Sequence, residues 1–495
     1  MKIKSLSPYY ERQIEAVTAL AGRNSLWQDE ALALLPRLTQ AYKRSESDAL
    51  LTTLSDAQRL DYIVQTGLEN NPAFKAAVAD MPLSGWKDFS APPVALKLHQ
   101  SLADKLYNAK PGVNDRVSMR LGDGSRLMGP MLVNKCLRDK VPFVIYFVNP
   151  DFHALLLNHA SPEGVKALGQ DFLRMTGGAN KSIIARSGMP NHKPVAPQRD
   201  KAQIYDKETA PHFRKASTGE MFYTLTAIPT QKDAEIDGIA YGDYIKLFFE
   251  MCDQPWNEVS KAQSALIQEF NAASKVRITN DDGTDVSMEL IDHDGKHFTF
   301  CNSLIAKNVP GSEIFSAPRR DSVNGTVVAK GRFYQAGTII ENLTMEFKNG
   351  ELVRYHADQG LEAFTRVVTM DDGARFVGEL GIGTNPHLKR HVTNGLLVEK
   401  IGGSFHLALG RPYSYTEYCG EPVKVDNGGK SDLHWDITTM LHGKGGCIYL
   451  DGRKVMENGQ WIAPQYDVLN RGWEALPRKE RPAYWKDYFN KPTGP

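Results

Sequence analysis

The sequence predicts a multidomain protein of α/β and α+β class, with an N-terminal helical segment, an α/β domain and a β-rich C-terminal domain. Three observations carry that reading. At 495 residues the chain is too long for a single simple core, because single cores stop growing at roughly 250–300 residues. Its hydrophobic share of 41% and charged share of 24% are those of ordinary globular domains, which excludes a disordered or fibrous chain. Finally, the apolar pattern changes texture twice, near residue 90 and near residue 275.

Over residues 1–90, Ile14, Val17 and Leu20, then Ala31, Leu34, Leu35 and Leu38, recur at helical spacing. Ser55-Asp56-Ala57-Gln58 offers a cap before Leu60, Ile63 and Val64, and Ala91-Pro92-Pro93 ends this helical extension. Over residues 91–275 strands and helices alternate. The run from Val141 to Val148 follows a helical pattern through Met131, Leu132, Cys136 and Leu137, as expected for a buried strand of an α/β layer. Two amphipathic helices close the region, one through Tyr244, Ile245, Leu247 and Phe248, the other through Val259, Ala262, Leu266 and Phe270. Residues 276–495 read as mainly strands. Asp294-Gly295, Asn349-Gly350 and Asp451-Gly452 are hairpin signals between apolar runs. A helix through Leu361, Phe364 and Val367 interrupts the sheet, and the tail after about 465, rich in Pro, Arg, Lys and Trp, reads as an irregular surface extension.

Charge and motif content remove several classes of function. Lys plus Arg (59) and Asp plus Glu (58) nearly cancel, which argues against a nucleic-acid partner held by phosphate neutralisation. No apolar run approaches the roughly 20 residues that cross a bilayer, and the first twelve residues carry no apolar segment of the secretory kind. No membrane partner and a cytoplasmic location are therefore expected. Cys136, Cys252, Cys301, Cys419 and Cys447 are widely spaced without a CxxC pair, so most are expected to be buried free thiols. Gly429-Lys430-Ser431 lacks the first glycine of a phosphate loop, since Lys424 stands there, and Gly381-Ile382-Gly383 meets Pro386 where a dinucleotide fingerprint needs its third glycine. No His-Glu-x-x-His helix motif occurs.

What remains is a set of five potential metal ligands in the last third of the chain. Glu313 lies in Val309-Pro310-Gly311-Ser312-Glu313, Glu379 in Gly378-Glu379-Leu380-Gly381-Ile382-Gly383, His406 in Gly402-Gly403-Ser404-Phe405-His406, and His434 and Asp436 flank Trp435. Three carboxylates and two imidazoles form the ligand set that holds two divalent first-row ions, because carboxylates bridge and histidines terminate the coordination. The β-rich C-terminal domain is thus read as metal-binding, and the chemistry as metal-assisted hydrolysis. Alternation on an extended strand sends His434 and Asp436 to one side with Trp435 opposite, and Ser404, His406 and Ala408 to one side with Phe405 and Leu407 opposite. The other eleven histidines, His442 among them, read as surface or hydrogen-bonded residues.

The order of these ligands and the sequences around them resemble the aminopeptidase T and aminopeptidase S type of metallopeptidase, the thermophilic metalloprotease family. The resemblance spans about residues 220–455, includes Ala227-Ile228-Pro229-Thr230-Gln231-Lys232-Asp233-Ala234-Glu235, and leaves the first 90 residues as an addition. It implies two divalent ions (zinc, cobalt or manganese) held by the two Glu, two His and one Asp, with Tyr413, seven residues after His406, as the catalytic tyrosine that steadies the oxyanion. It also implies peptide substrates and a homodimer. The function expected is a dinuclear metal-dependent aminopeptidase that hydrolyses the N-terminal peptide bond. The alternatives are a dinuclear hydrolase of another amide or ester, and a peptide-binding homologue without turnover. Glu313 and Asp436 are read as shared ligands, His406 and His434 as terminal ones, and Glu379 as a ligand mainly to one ion. Glu399 and Lys400 are candidate supporting groups, and the proton shuttle is left open.

Overall fold

A computed structural model describes residues 96–481 apart from 108–109, 123–124, 126–127, 149, 188–196, 306, 336–337 and 444; the helical reading of residues 1–90 lies outside the described residues. The chain divides into two units, Met1–Ala179 with Pro190–Glu208, and Asn180–Met189 with Thr209–Pro495.

In the first unit, α1 (Leu96–Leu106) is followed by β1 (Val117–Leu121), α2 (Met128–Arg138), β2 (Phe143–Phe147), α3 (Pro150–His159) and α4 (Pro162–Thr176). β1 and β2 pair in parallel from Val117↔Phe143 to Leu121↔Phe147, with α2 as the crossover. α2 is the predicted helix and buries Met131, Leu132, Val133 and Cys136. α4 starts where its sequence says it should: the Ser161 side chain accepts from Gly164 N–H, and Pro162 takes the first turn. The Val141–Val148 run departs from expectation. Its strand is half-buried, and Phe147 is 50% exposed, because β2 is an edge strand and not an interior one.

The second unit contains β3 (Lys181–Ser187) and β4 (Phe222–Ile228), paired in parallel; α5 (Arg199–Ser217) begins in the first unit and ends here. The helices α6 (Gln231–Asp237), α7 (Tyr241–Cys252) and α8 (Trp256–Ala272) follow. α6 begins with a capping box between Thr230 and Asp233. Beyond α8 come β5 (Lys275–Thr279), β6 (Asp285–Glu289), β7 (Cys301–Ser303), β8 (Glu313–Ser316), β9 (Asn324–Gln335), β10 (Thr338–Lys348), β11 (Glu351–Gln359) and α9 (Leu361–Val368). They are followed by β12 (Val377–Gly383), α10 (Gly395–Val398), β13 (Ser404–Gly410), β14 (Glu417–Tyr418), β15 (Glu421–Pro422), β16 (His434–Met440), β17 (Cys447–Leu450), β18 (Arg453–Glu457), β19 (Gln460–Trp461) and α11 (Asp467–Arg471).

These strands form an eight-stranded sheet in the order β11-β10-β9-β6-β5-β17-β18-β19 and a five-stranded sheet in the order β16-β13-β12-β8-β7. Both contribute to one core. Val276, Ile278, Val286, Met288, Ile340, Leu343 and Met345 from the larger sheet meet Ile314, Leu380, Ile382, Phe405, Leu407 and Ile437 from the smaller, and α8 adds Val259, Leu266 and Phe270. Asn349-Gly350 and Asp451-Gly452 turn the β10–β11 and β17–β18 hairpins with both residues at positive φ, the geometry that matches strand twist. Asp294-Gly295 closes only a bridge between Ile291 and His297. There the Asp292 carboxylate takes the backbone N–H of Asp294 and of Lys296, both at 2.8 Å, so a side chain and not a ladder holds the turn.

The tail differs from its reading as a surface extension. Tyr466, Val468 and Leu469 are buried in the shared core, and the Tyr466 hydroxyl donates to Glu269 at 2.5 Å. Three apolar side chains within four residues outweigh the polar composition around them. Cys136, Cys252, Cys301 and Cys447 are buried free thiols as expected, and Cys419 is exposed. No helix among the described residues is long and apolar enough to cross a membrane.

Candidate metal centre

The five predicted ligands stand on one face of the five-stranded sheet. Along β12, β13 and β16 the core takes Leu380, Ile382, Phe405, Leu407, Trp435 and Ile437, so the pleat delivers Glu379, His406, His434 and Asp436 to the opposite face. Glu313 opens β8, whose next residue, Ile314, is core.

The register shows why so many large polar groups fit there. His434 pairs with Gly410, and Asp436 with Ala408. Glu379 also pairs with Ala408, His406 pairs with Gly381, and Glu313 pairs with Gly383. Each ligand therefore faces glycine or alanine across the ladder. A Cβ built on Gly381 would run into the His406 ring.

His406 Nε2 is central, 3.7 Å from Glu313 Oε2, 3.7 Å from Glu379 Oε1 and 3.8 Å from Asp436 Oδ1. His434 Nε2 lies 3.3 Å from Glu379 Oε2. Glu313 Oε2, Glu379 Oε2, Asp436 Oδ1 and His434 Nε2 are buried without a hydrogen-bond partner. Buried polar atoms are rarely left so, and donors at ~2.1 Å from one cation stand roughly 3–3.5 Å apart. The donor set and its spacing fit divalent cations.

The charges of the cluster are strongly interdependent. Burial opposes protonation of His434, yet Asp436 and Glu379 pull its pKa up; for His406, Glu379, Asp436 and Glu313 do the same. Burial alone would raise the Glu379 carboxyl, but the two neighbouring imidazoles hold it down. Asp436 is pushed up by burial and by the nearby Glu399 charge. Protons thus sit where cations would compete for the same lone pairs.

Other groups hold the ligands in place. Arg411 carbonyl oxygen accepts from His434 Nδ1–H at 2.8 Å, which leaves the lone pair on Nε2 aimed into the cluster. Lys400 is completely buried, and its ammonium donates to Glu313 Oε1 at 2.5 Å and Glu399 Oε2 at 2.9 Å. Burial disfavours that charge, but the two carboxylates hold the pKa above the usual lysine range. Gln263 on α8 donates to Ser312 at 2.6 Å and Thr384 at 2.9 Å, tying the residue before Glu313 to the end of β12. Asn385 donates to Met251 and Gly311 carbonyls, both at 2.9 Å, and its backbone exchanges bonds with Lys400 and Gly402. Sequence reasoning missed Gln263, Ser312, Thr384 and Asn385. The available signal was a glutamine on the apolar face of α8, beside Ala262 and Leu266.

Tyr413 is half-buried beside the cluster, its ring 5.1 Å from that of His434, stacked on Tyr415 at 5.1 Å and edge-on to Phe315 at 5.5 Å. Burial, with Glu379 and neighbouring tyrosines, pushes its hydroxyl well above the ordinary range, so it stays a protonated donor. His442, read as an ordinary hydrogen-bonded histidine, contacts the Gly402 carbonyl through Nε2 and packs against Gly403, where β13 begins.

A fold of two antiparallel sheets carries this cluster of carboxylates and imidazoles, a donor set suited to divalent cations, and the comparisons with known proteins give the family. A model of the thermophilic metalloprotease (M29) family matches residues 161–461, more than half of the chain, and the chain belongs to that family. It is 28% identical over 182 residues to aminopeptidase 2 of Geobacillus stearothermophilus, a match covering 35% of this chain and 42% of the relative. It is 29% identical over 168 residues to aminopeptidase T of Thermus thermophilus, covering 32% and 41% respectively. To aminopeptidase PepS of Streptococcus thermophilus it is 31% identical over 167 residues, covering 31% and 40%. The chain thus spans less than half the length of these relatives. The solved structure of wild-type AmpT from Thermus thermophilus shares its fold, with a TM-score of 0.59 at 18% identity, over 74% of this chain and 100% of that one.

Proposed function

We propose that the protein is a dinuclear metal-dependent aminopeptidase that removes the N-terminal residue of peptides. The observation that carries this reading is the convergence of five side chains on one sheet face, three of them buried and two partly buried, with unpaired buried atoms at Glu313, Glu379, His434 and Asp436. Membership of a metalloprotease family and the similarity to proteins named aminopeptidases support it.

On this reading Glu313, Glu379, His406, His434 and Asp436 would hold two divalent ions, zinc, cobalt or manganese. When bound, such ions polarise a carbonyl and make water a nucleophile at neutral pH. The chain's own groups do the rest. Lys400 occupies Glu313 Oε1 and leaves Oε2 for coordination, and the Arg411 carbonyl keeps the His434 lone pair on Nε2. Tyr413 donates its hydroxyl proton in a hydrogen bond to the oxyanion. The free α-amino group of the substrate would take a coordination position or a carboxylate contact, which restricts cleavage to the end residue. The domain roles proposed are a helical extension over 1–90 that governs access, an α/β domain over 91–275, and a catalytic region over 276–495, in a cytoplasmic homodimer.

The test is release of free amino acids from unblocked and N-acetylated forms of one peptide, before and after exhaustive chelation and after return of zinc, cobalt or manganese. Release from the unblocked peptide alone, abolished by chelation and restored by metal, is expected. Equal hydrolysis of the acetylated peptide would instead favour a general amide hydrolase, and full activity of the chelated protein would overturn the metal mechanism.

A further inference from the structure

Beside the metal centre lies a lysine for which the roles above give no use. The Lys307 ammonium sits 4.1 Å from the ring centre of Tyr415, 4.8 Å from that of Tyr418 and 5.6 Å from that of Tyr223. Its position is set by the backbone: Leu225 N–H on β4 donates to the Lys307 carbonyl at 2.6 Å, and Val309 N–H returns to Leu225 at 2.8 Å. Among the described residues no ion pair or hydrogen bond engages the ammonium. Burial pushes its pKa down to about 8, opposed by the nearby Cys419 and Cys301. Lys307 is partly buried, and three ring faces attract a cation without neutralising it.

The same rings lead to the ligands. Tyr415 stacks on Tyr413 at 5.1 Å, and Tyr413 lies 5.1 Å from His434; Tyr418 meets Phe315 at 5.6 Å, two residues after Glu313. The Lys307 ammonium is thus linked to the centre through Tyr415 and Tyr413, by three successive contacts of 4.1, 5.1 and 5.1 Å, a path short enough for a few extended residues at ~3.3–3.6 Å each.

We infer that Lys307, framed by Tyr223, Tyr415 and Tyr418, is a subsite for a substrate carboxylate on the leaving-group side of the scissile bond. This rests on the aminopeptidase reading. The carboxylate is supplied by the C-terminus of a short peptide or by an acidic side chain, and its binding makes the enzyme favour short or acidic peptides.

The experiment compares wild type, Lys307→Met and Lys307→Arg on one tripeptide as free acid, as C-terminal amide, and as an amide with Glu in the second position. Wild type should favour the free acid, and Lys307→Met should raise its KM at least ~10-fold with kcat unchanged while leaving the plain amide alone. Lys307→Arg, which keeps the charge, should recover most of the preference. A Lys307→Met effect confined to the Glu-containing amide would assign the carboxylate to a side chain and not the terminus. Calorimetric titration of the metal-free protein with the free acid and plain amide reads the subsite without turnover. No amino-acid release by wild type from any peptide would defeat the aminopeptidase reading, while the titration still decides Lys307. Equal loss on all three peptides, or equal binding of acid and amide by wild type, would make Lys307 a packing residue and overturn the inference.

Discussion

The two large sheets of the second unit use the same strand period to opposite ends. In β10 buried Leu343, Met345 and Phe347 alternate with the partly exposed Thr344 and Glu346, so one face meets the core and the other meets water. In β8, β12 and β13 every residue is buried, yet Glu313, Glu379 and His406 occupy the face away from the apolar core. Alternation on a fully buried strand therefore marks a second environment, and what distinguishes it from solvent is the row of glycine and alanine across from each ligand. A polar residue on the larger sheet is hydrated, whereas one on the smaller sheet depends on its neighbours for every hydrogen bond.

That contrast breaks most sharply at the ligands. Glu379→Gln or His406→Ala should lower turnover by on the order of 10³-fold or more with little loss of stability, since each removes a donor without removing core volume. On the other sheet, Ile340→Ala should cost about 2–5 kcal/mol of stability and leave kcat/KM per folded molecule unchanged. Urea unfolding together with amino-acid release would check both. Equal effects of the two substitutions on stability and turnover would show that the smaller sheet is only a polar core.

The next largest effects come from groups that touch a ligand but are not ligands themselves. Lys400→Met should weaken metal affinity by about 10–100-fold, because it frees Glu313 Oε1 and leaves the buried Glu313 and the partly buried Glu399 carboxylates without their shared cation. Gly381→Ala should produce a loss of the same order by pushing the His406 ring from its place, whereas Gly295→Ala, whose Cβ meets nothing within 4 Å, should leave metal binding intact. Metal titration of the purified variants measures both, and unchanged affinity in Lys400→Met would remove that lysine from the account of the site.

The shared sheet face of the cluster was legible in the sequence because its members sit in short runs with a plain geometric meaning: His434-Trp435-Asp436 is a strand with two like-facing polar groups, and Gly402-Gly403 before His406 permits close approach. The hairpins at Asn349-Gly350 and Asp451-Gly452 were legible for the same local reason. What was not legible is non-local. Nothing in the periodicity of β5 says that it pairs with β17, more than 160 residues on, with Ile278 opposite Ile448. Gln263 reads as an interruption of an apolar helix face until Ser312 and Thr384 are seen to meet it. The tail was misjudged because composition was weighed over the spacing of Tyr466 and Leu469, and the half-burial of β2 because periodicity does not reveal which strand is at an edge.

The smallest predicted effect separates the two sheets by pH. His391, in the segment after β12, packs its ring 4.7 Å from Phe333 of β9, and its Nε2 is buried without a partner. Burial pushes its pKa down to about 4 from an ordinary value near 6.5. The folded state therefore prefers the neutral imidazole, and the unfolded chain binds the proton first as pH falls. The resulting stabilisation is fully present above about pH 6.5 and is lost as pH drops towards and through about 4, a term of about 3 kcal/mol. His391→Gln cannot titrate, so its stability relative to wild type should improve between pH 7 and pH 4.5, as read from urea midpoints at the two pH values. A constant difference between the proteins would mean that His391 is already hydrated or paired in the folded state. Turnover per folded molecule at pH 7 should not change, because this imidazole braces the larger sheet and His406, on the smaller one, faces the centre.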